Sequence, residues 1–415
     1  MSHNNSNAAI SKFIRLVFST TQLPETHVYN LHEITENMCS SAAKQPRNPK
    51  QVVFVADWPR SREARLAYGL KKAGWDVILL YKNQPTFDPA GYFSRIHQYK
   101  DPVDALSLAT SYTPVVYHVF SNWDFTSALA FIIYKPGKIV FDDYDVFAGM
   151  LKKDKLNEQD LIKLDMERLC LENADGLCCR SLETQYAKRK LGYSYRGKRI
   201  FFPEYCWNLN NHNNGKSDIN SFVIANVGNL YIDKHRHLDD PNNYHLYLAL
   251  IFAKNNIASY LFKTHLNYRD VSFVNNVTGN NPLIKISQVS YEKLMDELYH
   301  FCDAGLICAP PDITASEHEL YSQNKRNYAI GNKAFDYIDA GLTVIMDTEN
   351  KFLFWFIKRY HKVIDFSVFM SDIDKYLGLI RAWQSAGSGE LLHASQVLSV
   401  SRHIPRLTRF YEDIQ

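Results

Sequence analysis

The sequence has no cysteine pair at C-x-x-C spacing. Its seven cysteines (Cys39, Cys170, Cys178, Cys179, Cys206, Cys302 and Cys308) are an odd set, so neither a disulfide framework nor a zinc site is indicated. Cys170, Cys178, Cys302 and Cys308 have mostly apolar neighbours, which suits buried thiols in a reducing compartment. Long apolar runs are missing too: no window approaches the ~18 uninterrupted residues of a membrane span, and the opening stretch MSHNNSNAAISKF lacks the apolar core of a signal peptide. The expectation is a cytoplasmic chain without a span. Charge of one sign is scarce, with a formal net of +3, so overall charge does not indicate nucleic-acid binding and any electrostatic feature must be local. Glycine is absent from the first strand-to-helix turn, Asp57-Trp58-Pro59-Arg60-Ser61-Arg62-Glu63. A G-x-G-x-x-G turn needs glycine for close approach to a pyrophosphate, so a dinucleotide site in the first half is disfavoured.

What is present points to a large folded protein. The 415 residues exceed twice the ~150 expected per domain, and 46% apolar residues with 26 tyrosines and 24 phenylalanines exclude global disorder. Residues 1–48 read as an N-terminal extension ending in Gln45-Pro46-Arg47-Asn48-Pro49. Apolar runs at 52–56, 75–81, 114–120, 138–141 and 176–179 then alternate with helical patterns beginning near Leu66 and at 101–111, 122–134, 157–173 and 181–191. Apolar strands without clean alternation, interleaved with helices, predict a parallel sheet covered on both faces, a Rossmann-like domain over 49–207. An Asn-rich segment predicts a linker at 208–220. A second Rossmann-like domain is predicted over 221–385, with strands at 221–227, 259–263, 283–287, 304–308 and 342–346 and helices at 243–254, 290–301 and 332–340. A helical tail over 386–415 follows, which Pro405 is expected to break or kink.

The strongest chemical signal is Gly331 to Ile345 (GNKAFDYIDAGLTVI), read as loop, helix, Gly stop and buried strand. Free backbone N–H groups at Gly331 and Asn332 and the charge of Lys333 suit a phosphate, and Asp336 suits ribose hydroxyls. The segment resembles the K-x-x-E-Y-x-x-x-G-x-P-V-I element of group-1 glycosyltransferases of GT-B type, with Asp336 where the family has Glu and Thr343 where it has Pro. Ala225-Asn226-Val227-Gly228-Asn229-Leu230, Cys302-Asp303-Ala304-Gly305-Leu306-Ile307-Cys308-Ala309-Pro310 and Leu171-Glu172-Asn173-Ala174-Asp175-Gly176-Leu177 with Ser181 resemble further family motifs in the family's order. Tyr328 stands eight residues before Asp336, where a retaining member carries the first Glu of E-x7-E. Glu317 and Glu319 lie upstream as loop acids.

The resemblance implies an α/β protein of two Rossmann-like domains facing a central cleft, with a C-terminal helical tail. It implies transfer of a sugar from a nucleoside diphosphate donor to a glycan or lipid-linked acceptor, with no metal or other cofactor. Donor-binding candidates are Gly228, Asn229, Lys263, Asn332, Lys333 and Asp336. For an inverting transfer, Asp143 and Asp145, beside Asp142 at the end of an apolar strand, are candidate bases, and His118 is another. Arg60, Arg62 and Arg65 read either as an anion-facing set at a helix start or as a solvated helix face. Lys188, Arg189, Lys190, Arg196, Lys198 and Arg199, interleaved with Tyr193 and Tyr195, suit an anionic membrane surface or a solvated helix end. A nucleotide-sugar epimerase of the same architecture and a non-catalytic partner subunit are the alternatives.

Overall fold

The computed structural model describes residues 25–150, 154, 156–207, 221–228, 243–263, 268–308, 323–385 and 389–414. The chain divides into two compact units, Met1–Pro203 with His403–Gln415, and Glu204–Arg402. The expected linker at 208–220 lies outside the described residues.

The first unit is built on a seven-stranded sheet, β1 (Asn48–Ala56), β2 (Asp76–Tyr81), β3 (Arg95–Gln98), β4 (Pro114–Ser121), β5 (Ile139–Asp143), β6 (Gly176–Cys179) and β7 (Lys198–Phe201), in the order β3-β2-β1-β4-β5-β6-β7. Every pairing is parallel. Central β4 and β5 are buried along their whole length, as a sheet covered on both faces requires. The strand order reverses between β1 and β4, which opens a crevice beyond their carboxyl ends, the usual ligand position in such sheets.

Within the expected N-terminal extension, Glu25–Ala43 form a helix, and its Cys39 joins the core of this unit. Its alternation is masked in the sequence because only Thr35, Cys39 and Ala42 among its described residues are fully buried. The tail does not form one element: Gly389–Val397 belongs to the second unit, and most of Val400–Asp413 to the first. The latter helix runs through Pro405, anchored by buried Ile404, Leu407, Phe410 and Tyr411.

The second unit repeats the design with six strands: β8 (Phe222–Gly228), β9 (Ile257–Lys263), β10 (Ile284–Ser287), β11 (Ala304–Ile307), β12 (Thr343–Met346) and β13 (Val363–Asp365). Their order is β10-β9-β8-β11-β12-β13, again all parallel, with the reversal between β8 and β11. Helix Asn332–Asp339 is pinned to these two central strands by Tyr337. The Val227 N–H donates to its hydroxyl at 3.0 Å, which reaches the carbonyls of Leu306 at 3.2 Å and Ala225 at 3.3 Å. A Cβ at Gly305 would overlap the Tyr337 ring, so the glycine of the β11 motif exists to let this helix approach. Tyr337→Phe should therefore cost about 1–3 kcal/mol by leaving a buried N–H without its acceptor. Urea denaturation measures it, and an unchanged midpoint would show that the hydroxyl holds nothing. Among the described residues, no helix is long and apolar enough to cross a membrane.

Candidate functional site

In the first unit, β1, β4 and β5 end around a pocket of about 210 Å³ lined by Asp57, Trp58, Arg60, Glu63, Asn122 and Tyr144, among others. Asp57 follows β1 directly. Its Oδ1 accepts from the Tyr99 hydroxyl and from Ser127 Oγ, both at 2.7 Å, whereas Oδ2 is buried and has no hydrogen-bond partner among the described residues. Burial, reinforced by the Asp124 charge, pushes the Asp57 carboxyl up to about 6 despite those two donors and Lys82. Glu63 closes the first turn of helix Ser61–Lys72 by accepting from the Arg60 N–H at 3.0 Å, and burial pushes it up to about 8. It is therefore protonated at neutral pH. The Arg60 guanidinium lies 5.2 Å from the Tyr144 ring and 5.7 Å from that of Trp58, whose indole is 42% exposed. Asn122, with its amide turned to suit Arg60, accepts from Nη1 at 3.0 Å. Sequence reading passed over Asp57 because an acid after a strand gains meaning only when the strand is known to flank the reversal point.

The three proposed bases fare differently from expectation. His118 is wholly buried, stacked on Phe120 with centroids 4.3 Å apart, and its Nδ1 lies 2.6 Å from the Tyr411 hydroxyl. Burial lowers its pKa, so it is a neutral core imidazole rather than a base facing an acceptor. Beside it, Arg62 donates to Asp142 Oδ2 from Nε at 2.9 Å and from Nη2 at 2.8 Å, and also to the Phe202 carbonyl at 2.9 Å. Arg62 and Arg65 are 1% and 2% exposed, which corrects both readings of the arginine set for these two: they face neither solvent nor an open anion site. Burial pushes the Asp142 carboxyl up, but Arg62 and His118 outweigh it and hold it at about 2. His118, Asp142 and Cys178 lie close enough to share a metal ion, but the Arg62 guanidinium already sits on Asp142 and 3.5 Å from Cys178 Sγ, so the set does not fit one.

Asp143 is likewise a core carboxyl, not an open base. It is 5% exposed, and burial together with the charge of Glu167 raises it well above the carboxylate range. Glu167, pushed up by burial to about 7, accepts from the N–H groups of Phe147 and of Ala148, the latter at 3.0 Å. Of the two acids, Glu167 thus keeps its proton up to about 7 in the fold, a proton that the unfolded chain releases above its ordinary carboxylate pKa of about 4. Stability from this proton is complete below about pH 4 and is lost as pH rises through about 7. Asp143→Asn should flatten the decline in Tm between pH 5 and pH 8 by removing one acid. An equal drop at both pH values with loss of turnover would restore Asp143 as a base. Asp145 is paired with Arg180 at 2.9 Å, and that guanidinium lies 4.1 Å from the Tyr144 ring, so Asp145 positions a wall of the pocket instead of taking a proton in it.

In the second unit, Gly228 ends β8 with φ of +100°, a left-handed backbone that favours glycine, and stands opposite Lys263 in the β8–β9 register. Asn229, Glu317, Glu319 and the Lys263 side chain lie outside the described residues. Helix Asn332–Asp339 starts after Gly331 without a side-chain cap, so its first N–H groups have no side-chain partner at the cap. Half-buried Lys333 in its first turn makes no hydrogen bond or ion pair with any described residue. Burial lowers its pKa, with only Cys308 pulling the other way. Its charge reaches His245, which burial and Lys333 together push down to about 3. Asp336 departs from the expectation of an open ribose acceptor: it is 3% exposed and its Oδ1 accepts from the Tyr291 hydroxyl at 2.5 Å. Tyr291 in turn accepts from Trp207 Nε1 at 2.9 Å. Asp336 thus braces the helix that carries Lys333.

The six basic residues from Lys188 to Arg199 are all exposed, three of them in the last turn of helix Glu183–Lys190.

No protein-family model matches the chain, and no curated protein matches it. Solved structures do. Sucrose-phosphate synthase from Thermosynechococcus elongatus is 14% identical with a TM-score of 0.59, covering 88% of this chain and 100% of that one. HepE from Anabaena, solved in complex with UDP and glucose, is 11% identical with a TM-score of 0.57, covering 86% and 99%. AviGT4, a glycosyltransferase involved in avilamycin A biosynthesis, is 12% identical with a TM-score of 0.50, covering 88% and 97%. At such identities these likenesses establish the fold, two α/β units of GT-B type.

Proposed function

We propose that the chain is a glycosyltransferase that moves a sugar from a nucleoside diphosphate donor to a glycan or lipid-linked acceptor. One observation carries the donor half of this reading. Lys333 is a half-buried ammonium without an acid partner among the described residues, set in the first turn of a helix whose Gly331 cap makes no side-chain hydrogen bond, beside the reversal point of the second sheet. Burying a lysine this way is unfavourable unless an anion joins it, and a helix N-terminus adds N–H groups and a favourable dipole. A diphosphate supplies the missing charge, both when bound and when it leaves with the bonding pair. A fixed ammonium and backbone N–H groups stabilise that leaving charge without reorganisation, and no metal ion is needed for the task.

The first unit supplies the acceptor half through the pocket beyond β1, β4 and β5. Gly228 at the end of β8 and Lys263, its partner in the β8–β9 register, are the further candidates for donor contact. The exposed basic patch from Lys188 to Arg199 suits the anionic headgroups of a peripheral membrane site, as a lipid-linked acceptor in polysaccharide biosynthesis would require. HepE was solved with UDP and glucose, which makes UDP-glucose the first donor to try.

Calorimetry with a panel of nucleoside diphosphate sugars tests the reading. Saturable binding of at least one, with weaker binding of its nucleoside monophosphate, is expected. Binding of none would remove the transferase reading.

A further inference from the structure

We infer that helix Lys351–Lys358 of the second unit, with the turn that follows it, is a docking face for an anionic lipid surface. The inference stands on this helix alone and does not need the transferase reading. It is also separate from the basic patch over Lys188–Arg199, which belongs to the first unit.

The helix (KFLFWFIK) carries more apolar surface than its packing uses. Phe352, Leu353, Phe356 and Ile357 are buried and hold it to its unit. Lys351, Trp355 and Lys358, spaced four and three residues apart, share the opposite face with half-buried Phe354. Trp355 is 55% exposed, and Tyr360, just past the helix end, is 39% exposed. An indole left this open is unfavourable in water, and Trp and Tyr are the side chains that settle at the headgroup level of a bilayer.

Electrostatics say what covers the face. From Lys351 to Lys362 the sequence KFLFWFIKRYHK has four cations and no acid. Lys351, Lys358 and Arg359 are exposed and form no ion pair with any described residue. Two of them lie over rings instead: Arg359 is 4.9 Å from the Trp355 centroid and Lys358 is 5.5 Å from that of Phe354. Glu349, the acid that precedes the helix, is engaged by Arg326.

Cations that border exposed aromatic rings are the arrangement of an interfacial helix, in which ammonium and guanidinium groups meet lipid phosphates while the rings enter the headgroup layer. A second copy of this chain fits poorly, because a two-fold contact would set the same cations against themselves. Nucleic acid fits no better. The cations span about 12 Å of helix axis, too short to follow a strand over the roughly four or more nucleotides of a usual site.

The test mixes the full chain, without any nucleotide sugar, with vesicles of phosphatidylcholine alone or of phosphatidylcholine with phosphatidylglycerol. Co-sedimentation should occur with the mixed vesicles only and fade as salt rises. Tryptophan emission should shift to the blue on binding, and Trp355→Phe should lose that shift while still sedimenting. Lys358→Gln combined with Arg359→Gln should lower the partition coefficient by about 25-fold, about fivefold per cation. Trp355→Ser should lower it by about tenfold, and circular dichroism should show both variants folded. Replacing Lys188, Arg189 and Lys190 by Gln should leave the Trp355 shift in place. No sedimentation with either vesicle, equal sedimentation with phosphatidylcholine alone, or a full blue shift in Trp355→Phe would each overturn the inference. Unchanged partition in the double variant would do so too, by leaving lipid binding to Lys188–Arg199. A dimer, or a bound single-stranded oligonucleotide, that Trp355→Ser abolishes would give the face to that partner and overturn the inference. None of these readings involves turnover, so the inference and the transferase reading can fail independently.

Discussion

Lys333→Ala should weaken donor binding by about 10- to 150-fold, the equivalent of one charge-assisted contact of about 1.5–3 kcal/mol, and at the same time leave Tm unchanged or higher. The opposite signs follow from one fact. The ammonium is half-buried with no acid beside it among the described residues, and its pKa is lowered by burial, so the folded chain bears a cost for keeping it charged. A structural lysine would show the reverse pattern, with a lower Tm and intact affinity. Lysine's role here is a point charge, so Lys333→Arg, with a bulkier and planar head in a confined first turn, should recover only part of the affinity. Calorimetry with the selected nucleotide sugar and a thermal melt of the free protein separate the two cases.

Arg62→Ala should destabilise the first unit by about 3–5 kcal/mol, the usual result of stranding a buried carboxylate. Asp142 is 0% exposed and its pKa of about 2 is owed to Arg62 and His118. Because the folded pKa is depressed, the stability that this acid contributes is present above its unfolded pKa of about 3.9 and disappears as pH falls toward 2. The double variant Arg62→Met with Asp142→Leu should recover much of the loss, since an apolar pair of similar volume avoids desolvating two charges. Urea titrations of the two single variants and the double variant measure the coupling. Independent, additive losses would mean that the pair is not the unit described above.

Much of the architecture was legible because the central strands are apolar along their length. β1, β2, β4, β8, β11 and β12 all fall within or near runs such as Val52 to Ala56 and Thr343 to Met346. The strands that escaped notice, β3, β7 and β13, are short and carry polar residues, as in Arg95–Gln98 (RIHQ). They lie at the sheet edges, where half of the backbone ladder faces away from the core and burial no longer selects apolar side chains.

The candidate site was legible in the second unit and not in the first. Gly331 to Asp336 is contiguous, and its helix start, lysine and acid are readable in order. The first unit brings together Arg62, His118, Asp142 and Tyr411, with a sequence separation of 293 between His118 and the tyrosine it meets. Spacing in the chain carries no trace of such a cluster, so His118 and Asp143 looked like bases when they are in fact core groups. Asp57 was hidden for the complementary reason: it stands in the glycine-free turn after β1, and only the strand order places that turn at the reversal point and against a pocket.

The most direct measurement is the release of nucleoside diphosphate from a panel of nucleotide sugars, followed by mass spectrometry of the products with and without p-nitrophenyl glycosides. The account predicts acceptor-dependent release of the diphosphate together with an acceptor heavier by one sugar residue. Conversion of the donor to an epimer without any acceptor, or no turnover of any donor, would contradict it.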